Sequence, residues 1–240
     1  MNSVPSSSGS NDQDHVRRPR VVVFDVNETL SDMAPMGKRF TEVGAPAHLA
    51  ATWFAGLLRD GFALTAAHST ARMADIGSSL LRTRLSGLSL NRDLDQAVDH
   101  VMGGFAGLDV HPDVVKGVAA LSEMGIRLVT LSNGPTDLAR KLFERAGIVG
   151  KFERLLSVEA AGVWKPAAGA YAYALSACDV RAQEAMLVAV HPWDIDGAAR
   201  AGLATAWLDR SGEDYPDYFR PADIQAETLT ALARRLGSIR

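Results

Sequence analysis

The sequence predicts a doubly wound parallel α/β sheet carrying an inserted helical segment, and three observations carry that expectation. Short runs of β-branched and apolar residues alternate with helical stretches through most of the second half of the chain, the pattern of βαβ units. Polar residues suited to chemistry stand at the ends of those runs, where open parallel sheets gather their ligands. Between residues 34 and 108 the strand pattern is lost and only amphipathic helical stretches remain.

The first run, Val21-Val22-Val23-Phe24, ends at Asp25. Continuous apolar character over so short a stretch reads as a strand buried on both faces. Further strands are predicted at 127–132 (Arg-Leu-Val-Thr-Leu-Ser), near 154–158 and at 185–190. Helices are predicted at 112–124, 135–146 and 167–177, with Gly125 and Gly147 where glycines end helices in the left-handed conformation. In the middle of the chain, helices are expected at 46–59, 70–85 and 94–105, returning to the sheet near Val110. A last helix is expected over 224–236. The reading is therefore a Rossmann-like core of residues 20–33 and 109–240, a helical cap of residues 34–108, and a polar tail of residues 1–19 expected to be disordered.

Composition excludes several classes of function. The 240 residues are 47 % hydrophobic with a net charge of −3, enough for a large core and without the basic excess that marks nucleic-acid or anionic-membrane binding. No apolar run is long enough to span a bilayer. The first residues lack a secretory signal's apolar segment. The single cysteine, Cys178, forbids an internal disulfide and fits a reducing cytoplasm. A soluble cytoplasmic protein is expected.

Four polar features coincide with predicted strand ends: Asp25 with Thr29, Ser132-Asn133-Gly134, Lys165-Pro166, and Asp194. Each alone has a plain structural reading, as a turn, a cap or an exposed loop. Asp194 is also a candidate N-cap for a helix over 195–201. Trp53, Phe54, Leu57, Leu58 and Phe62 follow helical spacing and read first as helix-packing residues. His68, His100 and His111 show no ligand spacing.

In that order and together, the four features resemble the haloacid dehalogenase (HAD) superfamily. The resemblance implies Asp25 as nucleophile, Ser132 as the second motif's hydroxyl, Lys165 as its cation and Asp194 as the acid of the fourth. Within the superfamily the chain most resembles the type II, (S)-2-haloacid dehalogenases: Tyr171 stands six residues after Lys165, Asn133 follows Ser132, and the aromatic Trp193 precedes Asp194. The resemblance implies a carboxylic-acid substrate bound near Asn27, Thr29, Ser132, Asn133, Tyr171, His191, Trp193 and Phe54, and a homodimer joined through the cap.

The chemistry of two positions separates the branches. Superfamily phosphatases carry a second Asp two residues after the nucleophile, to protonate an alkoxide and activate water; Asn27 does not titrate and can do neither. A halide leaves as the anion of a strong acid and needs no proton. Phosphatases also place a motif-four acid where Val190 stands, and Mg²⁺ requires an oxygen-rich cage. No required metal and no cofactor are expected. The reading is thus a hydrolase of small 2-haloacids acting through an aspartyl ester and giving 2-hydroxy acids. The alternatives are a phosphatase of small phosphomonoesters and a catalytically silent binding protein.

The chain also departs from the type II pattern. Asn27 replaces a usual Tyr, Ala189 and His191 stand where Ser and Asn are usual, and Phe54 aligns near the cap arginine that receives halide. Arg39, Arg59 and Arg72 are the candidate substitutes. His191 reads either as a residue that positions water or as a strand-end cap.

Overall fold

A computed structural model describes residues 17–239. Its centre is β1 (Val21–Phe24), whose four side chains are all buried. It pairs in parallel with β2 (Arg127–Ser132) on one side and β4 (Ala185–Ala189) on the other. Beyond these lie β3 (Arg154–Ser157), β5 (Ala204–Leu208) and β6 (Ile224–Ala226), giving the order β3-β2-β1-β4-β5-β6 with every pair parallel. The strand order reverses between β1 and β4. A crevice opens outside the carboxyl ends at such a reversal, and Asp25 follows β1 there.

The chain leaves and returns to the sheet at one point, an isolated antiparallel bridge between Ser31 and Val110. Between them lie α1 (Met36–Thr41), α2 (Leu49–Ala66), α3 (Met73–Leu85) and α4 (Leu94–Ala106). Their apolar faces converge on an aromatic cluster, with Trp53 and Phe105 edge to face at 5.7 Å and Phe40 against Trp53 at 6.1 Å. The indole N–H of Trp53 donates to the carbonyl of Gly77 at 3.0 Å, so a buried polar group is satisfied inside the cluster.

After the bridge, α5 (Val114–Glu123) leads into β2, followed by α6 (Thr136–Arg145), β3 and the short α7 (Val158–Ala161). Then come α8 (Ala168–Cys178), β4, α9 (Pro192–Arg200), β5, β6 and α10 (Leu229–Ser238). Gly125 and Gly147 adopt φ of +74° and +69° just past α5 and α6, as their positions predicted. The alternation of β1 divides the core: Val21 and Val23 pack on one side with α8 and the inserted helices, Val22 and Phe24 on the other with α5, α6 and α10.

The structure departs from the sequence reading in four places. The sheet has six strands where four were expected; β5 and β6 are added. Residues 224–226 form β6, and the last helix starts at Leu229, because Ile224 and Ala226 are buried against the sheet while Thr228 caps the helix by accepting from Ala231 N. The first inserted helix, α1, was not expected. In α9 the N-cap position is His191, so Asp194 lies inside the first turn and is not the cap. Of the predicted tail, residues 1–16 lie outside the described residues.

Candidate active site

The site is assembled from three strand ends and one loop. Asp25 is held in place through its backbone N–H, which donates to Val188 O on β4 at 3.0 Å, and its residue is 3 % exposed. Thr29, one tight turn later, donates its hydroxyl to Asp25 Oδ2 at 2.6 Å and accepts from the backbone of Val190 at 3.1 Å. Thr29 is fully buried. It braces the carboxylate from within the turn.

Lys165 enters from the loop before α8 and is also fully buried. Its ammonium donates to Asp25 Oδ1 at 2.9 Å and to Asp194 Oδ2 at 2.5 Å. Tyr171, one turn into α8, donates its hydroxyl to Asp194 Oδ1 at 2.6 Å. The six-residue spacing from Lys165 thus sets a completely buried phenol against the acid that holds the lysine. Both oxygens of Asp194 are committed.

Ionisation follows from this arrangement. Burial by itself would raise the Asp25 carboxyl, but the Lys165 ammonium and the neighbouring His191 outweigh it and hold it well below the ordinary value. Burial would lower Lys165, and the two carboxylates keep it above its ordinary value and charged. Asp194 is pushed up, by burial first and by the charge of Asp25. Burial and the Asp194 carboxylate push the Tyr171 phenol far up, so it stays a donor.

Around the triad the remaining candidates take distinct places. Ser132 Oγ accepts from Gly134 N at 2.9 Å. Asn133 Oδ1 accepts from the backbone of Lys165 at 3.0 Å, while its Nδ2 is buried with no protein partner. A buried amide donor of that kind is costly unless something accepts from it. Asn27 is buried, with Nδ2 3.9 Å from Met73 Sδ at the start of α3. Trp193 stacks on His191 at 4.9 Å and 27°, meets Phe62 of α2 edge to face, and lies 5.9 Å from the Lys165 ammonium.

Phe54 is not part of this group: it packs on Trp53 and Phe105 in the aromatic cluster, as its helical spacing suggested. The candidate substitutes for a halide-binding arginine are engaged elsewhere. Arg39 pairs with Glu42, and Arg59 and Arg72 are largely exposed and pair with Asp60 and Asp75.

One feature was missed in the sequence. His191 Nε2 stands 2.7 Å from Glu28 Oε2, and its Nδ1 stands 3.3 Å from Asp25 Oδ2, near enough for attraction but off the line of a hydrogen bond. Burial pulls the imidazole down, yet contacts with both carboxylates raise it to about 9. Glu28 adopts φ +63°, a conformation unusual for a residue with a side chain. That backbone twist carries no simple signature in the sequence.

Metal ligation finds little support in the donor set. Asp194 spends both oxygens on Lys165 and Tyr171, Val190 offers no ligand atom, and Asp196 pairs with Arg200. Among the described residues no three His, Cys, Asp or Glu side chains are grouped to hold an ion.

Fold and site together define an α/β protein of the hydrolase class. The chain belongs to the haloacid dehalogenase-like hydrolases, whose family model matches residues 19–202. It is 26 % identical over 219 residues to (S)-2-haloacid dehalogenase 1 of Pseudomonas sp. (strain CBS-3), an alignment covering 90 % of this chain and 96 % of that one. Haloacetate dehalogenase H-2 of Moraxella sp. (strain B) is 31 % identical over 121 residues, 50 % of this chain and 54 % of the relative. A crystal structure of an L-2-haloacid dehalogenase superposes with a TM-score of 0.85 at 26 % identity, covering 92 % of this chain and 99 % of that one.

Proposed function

We propose that this chain hydrolyses the carbon–halogen bond of small 2-haloacids through an ester on Asp25. The observation that carries the reading is a buried carboxylate kept ionised by Lys165, with an amide, Asn27, two residues further along. An ionised carboxylate held in a dry site is a competent nucleophile toward carbon. It attacks the halogen-bearing carbon from the rear; halide leaves with the bonding pair, and no acid is required. Water then cleaves the ester at the Asp25 carboxyl carbon and releases the 2-hydroxy acid.

In this reading the free Nδ2 of Asn133 and the Ser132-Asn133-Gly134 turn at the start of α6 receive the anionic end of the substrate. Trp193 and Phe62 supply apolar wall. Residues 34–108 act as a cap over the core of residues 20–33 and 109–240, with α2 and α3 reaching the site through Phe62 and Met73. The same proposal includes a homodimer joined through the cap, checked by sedimentation, and a cytoplasmic location suited to a lone buried thiol. Among the described residues no helix is long and apolar enough to cross a membrane.

The test is a halide-release screen with chloro-, bromo- and fluoroacetate and both 2-chloropropionate enantiomers, without added metal and beside a panel of phosphate esters. Halide release that disappears in Asp25→Ala supports the proposal. Mg²⁺-dependent phosphate release without halide overturns it. The outward pairing of Arg39, Arg59 and Arg72 favours a second reading, a silent binding protein, which predicts neither product and no covalent adduct on Asp25.

A further inference from the structure

We propose that His191 is the base that activates water against the Asp25 ester, with Glu28 as the residue that positions it and passes its proton outward. The inference rests on the dehalogenase reading above and deepens its second step. Hydrolysis of an ester needs a group that accepts a proton from water, within hydrogen-bond reach of the reacting carboxyl. Asp194 is not free to do so, since Lys165 and Tyr171 occupy both its oxygens and it is fully buried. Asn27 has no basic atom. His191 Nδ1 lies 3.3 Å from Asp25 Oδ2, is buried, and makes no aligned hydrogen bond of its own.

The other side of the imidazole completes the device. Nε2 faces Glu28 Oε2 at 2.7 Å, and the ring is fixed by stacking on Trp193. Glu28 itself is braced in its strained turn, with its carbonyl accepting from His111 at 2.9 Å and its N–H donating to Ser31 Oγ at 3.3 Å. His191 and Glu28 line a recess of about 420 Å³ on the outer side of the site, together with Asp32, His111, Arg210 and Glu213. The chain of groups therefore runs from the nucleophile through imidazole and carboxylate to a space large enough for water.

The proton balance follows. Before reaction His191 is an imidazolium between two carboxylates. Displacement turns Asp25 into a neutral ester and expels halide, so one of the two anions holding the proton is gone. The imidazole loses its proton through Glu28 to the recess. It then takes a proton from the attacking water as the new C–O bond forms, and returns it to the departing alkoxide as the ester C–O bond breaks. The Asp25 carboxyl so formed gives its proton to His191 and both return to the starting state. The sum is one water consumed, with one alcohol, one halide and one proton released.

Asp25 and Glu28 in direct contact set the imidazole's titration; the other charged or titratable groups that face it are Lys165 and Asp194 across Asp25, and Asp32, His111, Arg210 and Glu213 around the recess. The experiment uses the full chain with (S)-2-chloropropionate, following chloride by rapid quench and the protein by intact mass. His191→Gln is expected to release one chloride per site in a burst, accumulate the Asp25 adduct, and turn over about 100-fold or more slowly. Glu28→Gln is expected to move the acidic limb of the ester-hydrolysis rate to lower pH, because the imidazole loses an anion that holds its proton; a merely structural role would leave that limb in place. Chloride release by the parent with no adduct in His191→Gln, or an unmoved limb in Glu28→Gln, overturns the dyad alone. No chloride from the parent overturns the dehalogenase reading and the dyad with it.

Discussion

Replacing Lys165 by Met retains a long apolar stem and removes the ammonium that serves two buried carboxylates. Its nitrogen lies 2.9 Å from Asp25 and 2.5 Å from Asp194, with no exposure to solvent. Breaking a buried ion pair by deleting one partner costs about 3–5 kcal/mol, because a charge is left without its counterpart. Thr29 and His191 still face Asp25, and Tyr171 still donates to Asp194, which keeps the loss within that range. At about 2–4 °C per kcal/mol for a chain of this size, the melting temperature should fall by roughly 6–20 °C.

The pH dependence makes the prediction specific. In the parent protein the Asp25 carboxyl is held below its unfolded value, so it contributes stability above that value and loses it as the pH falls through the folded one. In Lys165→Met, burial is no longer opposed by the ammonium, and the native carboxyl pair is raised above its unfolded value. Native protonation then favours folding at lower pH. The penalty measured by urea unfolding should be largest near pH 8 and clearly smaller near about pH 5, with unchanged m-values. A penalty below about 1 kcal/mol, or one equal at both pH values, would refute the assignment of Lys165 as the counter-charge of this pair.

Three further outcomes are expected. Because His191 is raised from 6.5 to about 9, its ion pairs stabilise the fold fully below about pH 6.5 and fade as the pH rises through about 9. Chemical denaturation across that window should show a loss of about 2–3 kcal/mol that His191→Gln lacks. Exhaustive EDTA treatment should leave halide release unchanged, and added Mg²⁺ should not raise it; dependence on metal would contradict the committed oxygens of Asp194. In Gly61→Ala the new Cβ would run into the Trp164 ring, so overpacking should lower stability by about 1–3 kcal/mol, read as a melting-temperature shift.

Much of this architecture was legible because sequence and burial agree there. β1, β2 and β4 are short runs buried on nearly every residue, and such runs announce themselves without any long-range information. Asp25, Lys165 and Asp194 were legible as polar residues after predicted strands; Lys165 stands in the loop beyond α7 and Asp194 in the first turn of α9, and the structure brings their charged atoms together. β5 was missed because Ala-Thr-Ala-Trp-Leu carries little β-branched character. β6 was missed because three residues preceding a helix share its apolar pattern. Spacing places the hydroxyls of Thr29 and Tyr171 near the site, but only the folded arrangement shows which oxygens they face, Asp25 Oδ2 and Asp194 Oδ1. The contact between Glu28 and His191 joins residues 163 positions apart through a left-handed turn; neither local pattern nor composition encodes it.

Trp164 gives the molecule an unexpected mechanical property. Its indole presses on Gly61, its ring N–H reaches the carbonyl of Ala71 at 3.2 Å, and its backbone N–H reaches the Thr65 hydroxyl at 3.2 Å. The next residue in the chain is Lys165. Any outward swing of α2 must either tear these contacts or drag on the very peptide that suspends the cation. A push on α2 is therefore expected to reach the buried ammonium through a single peptide link.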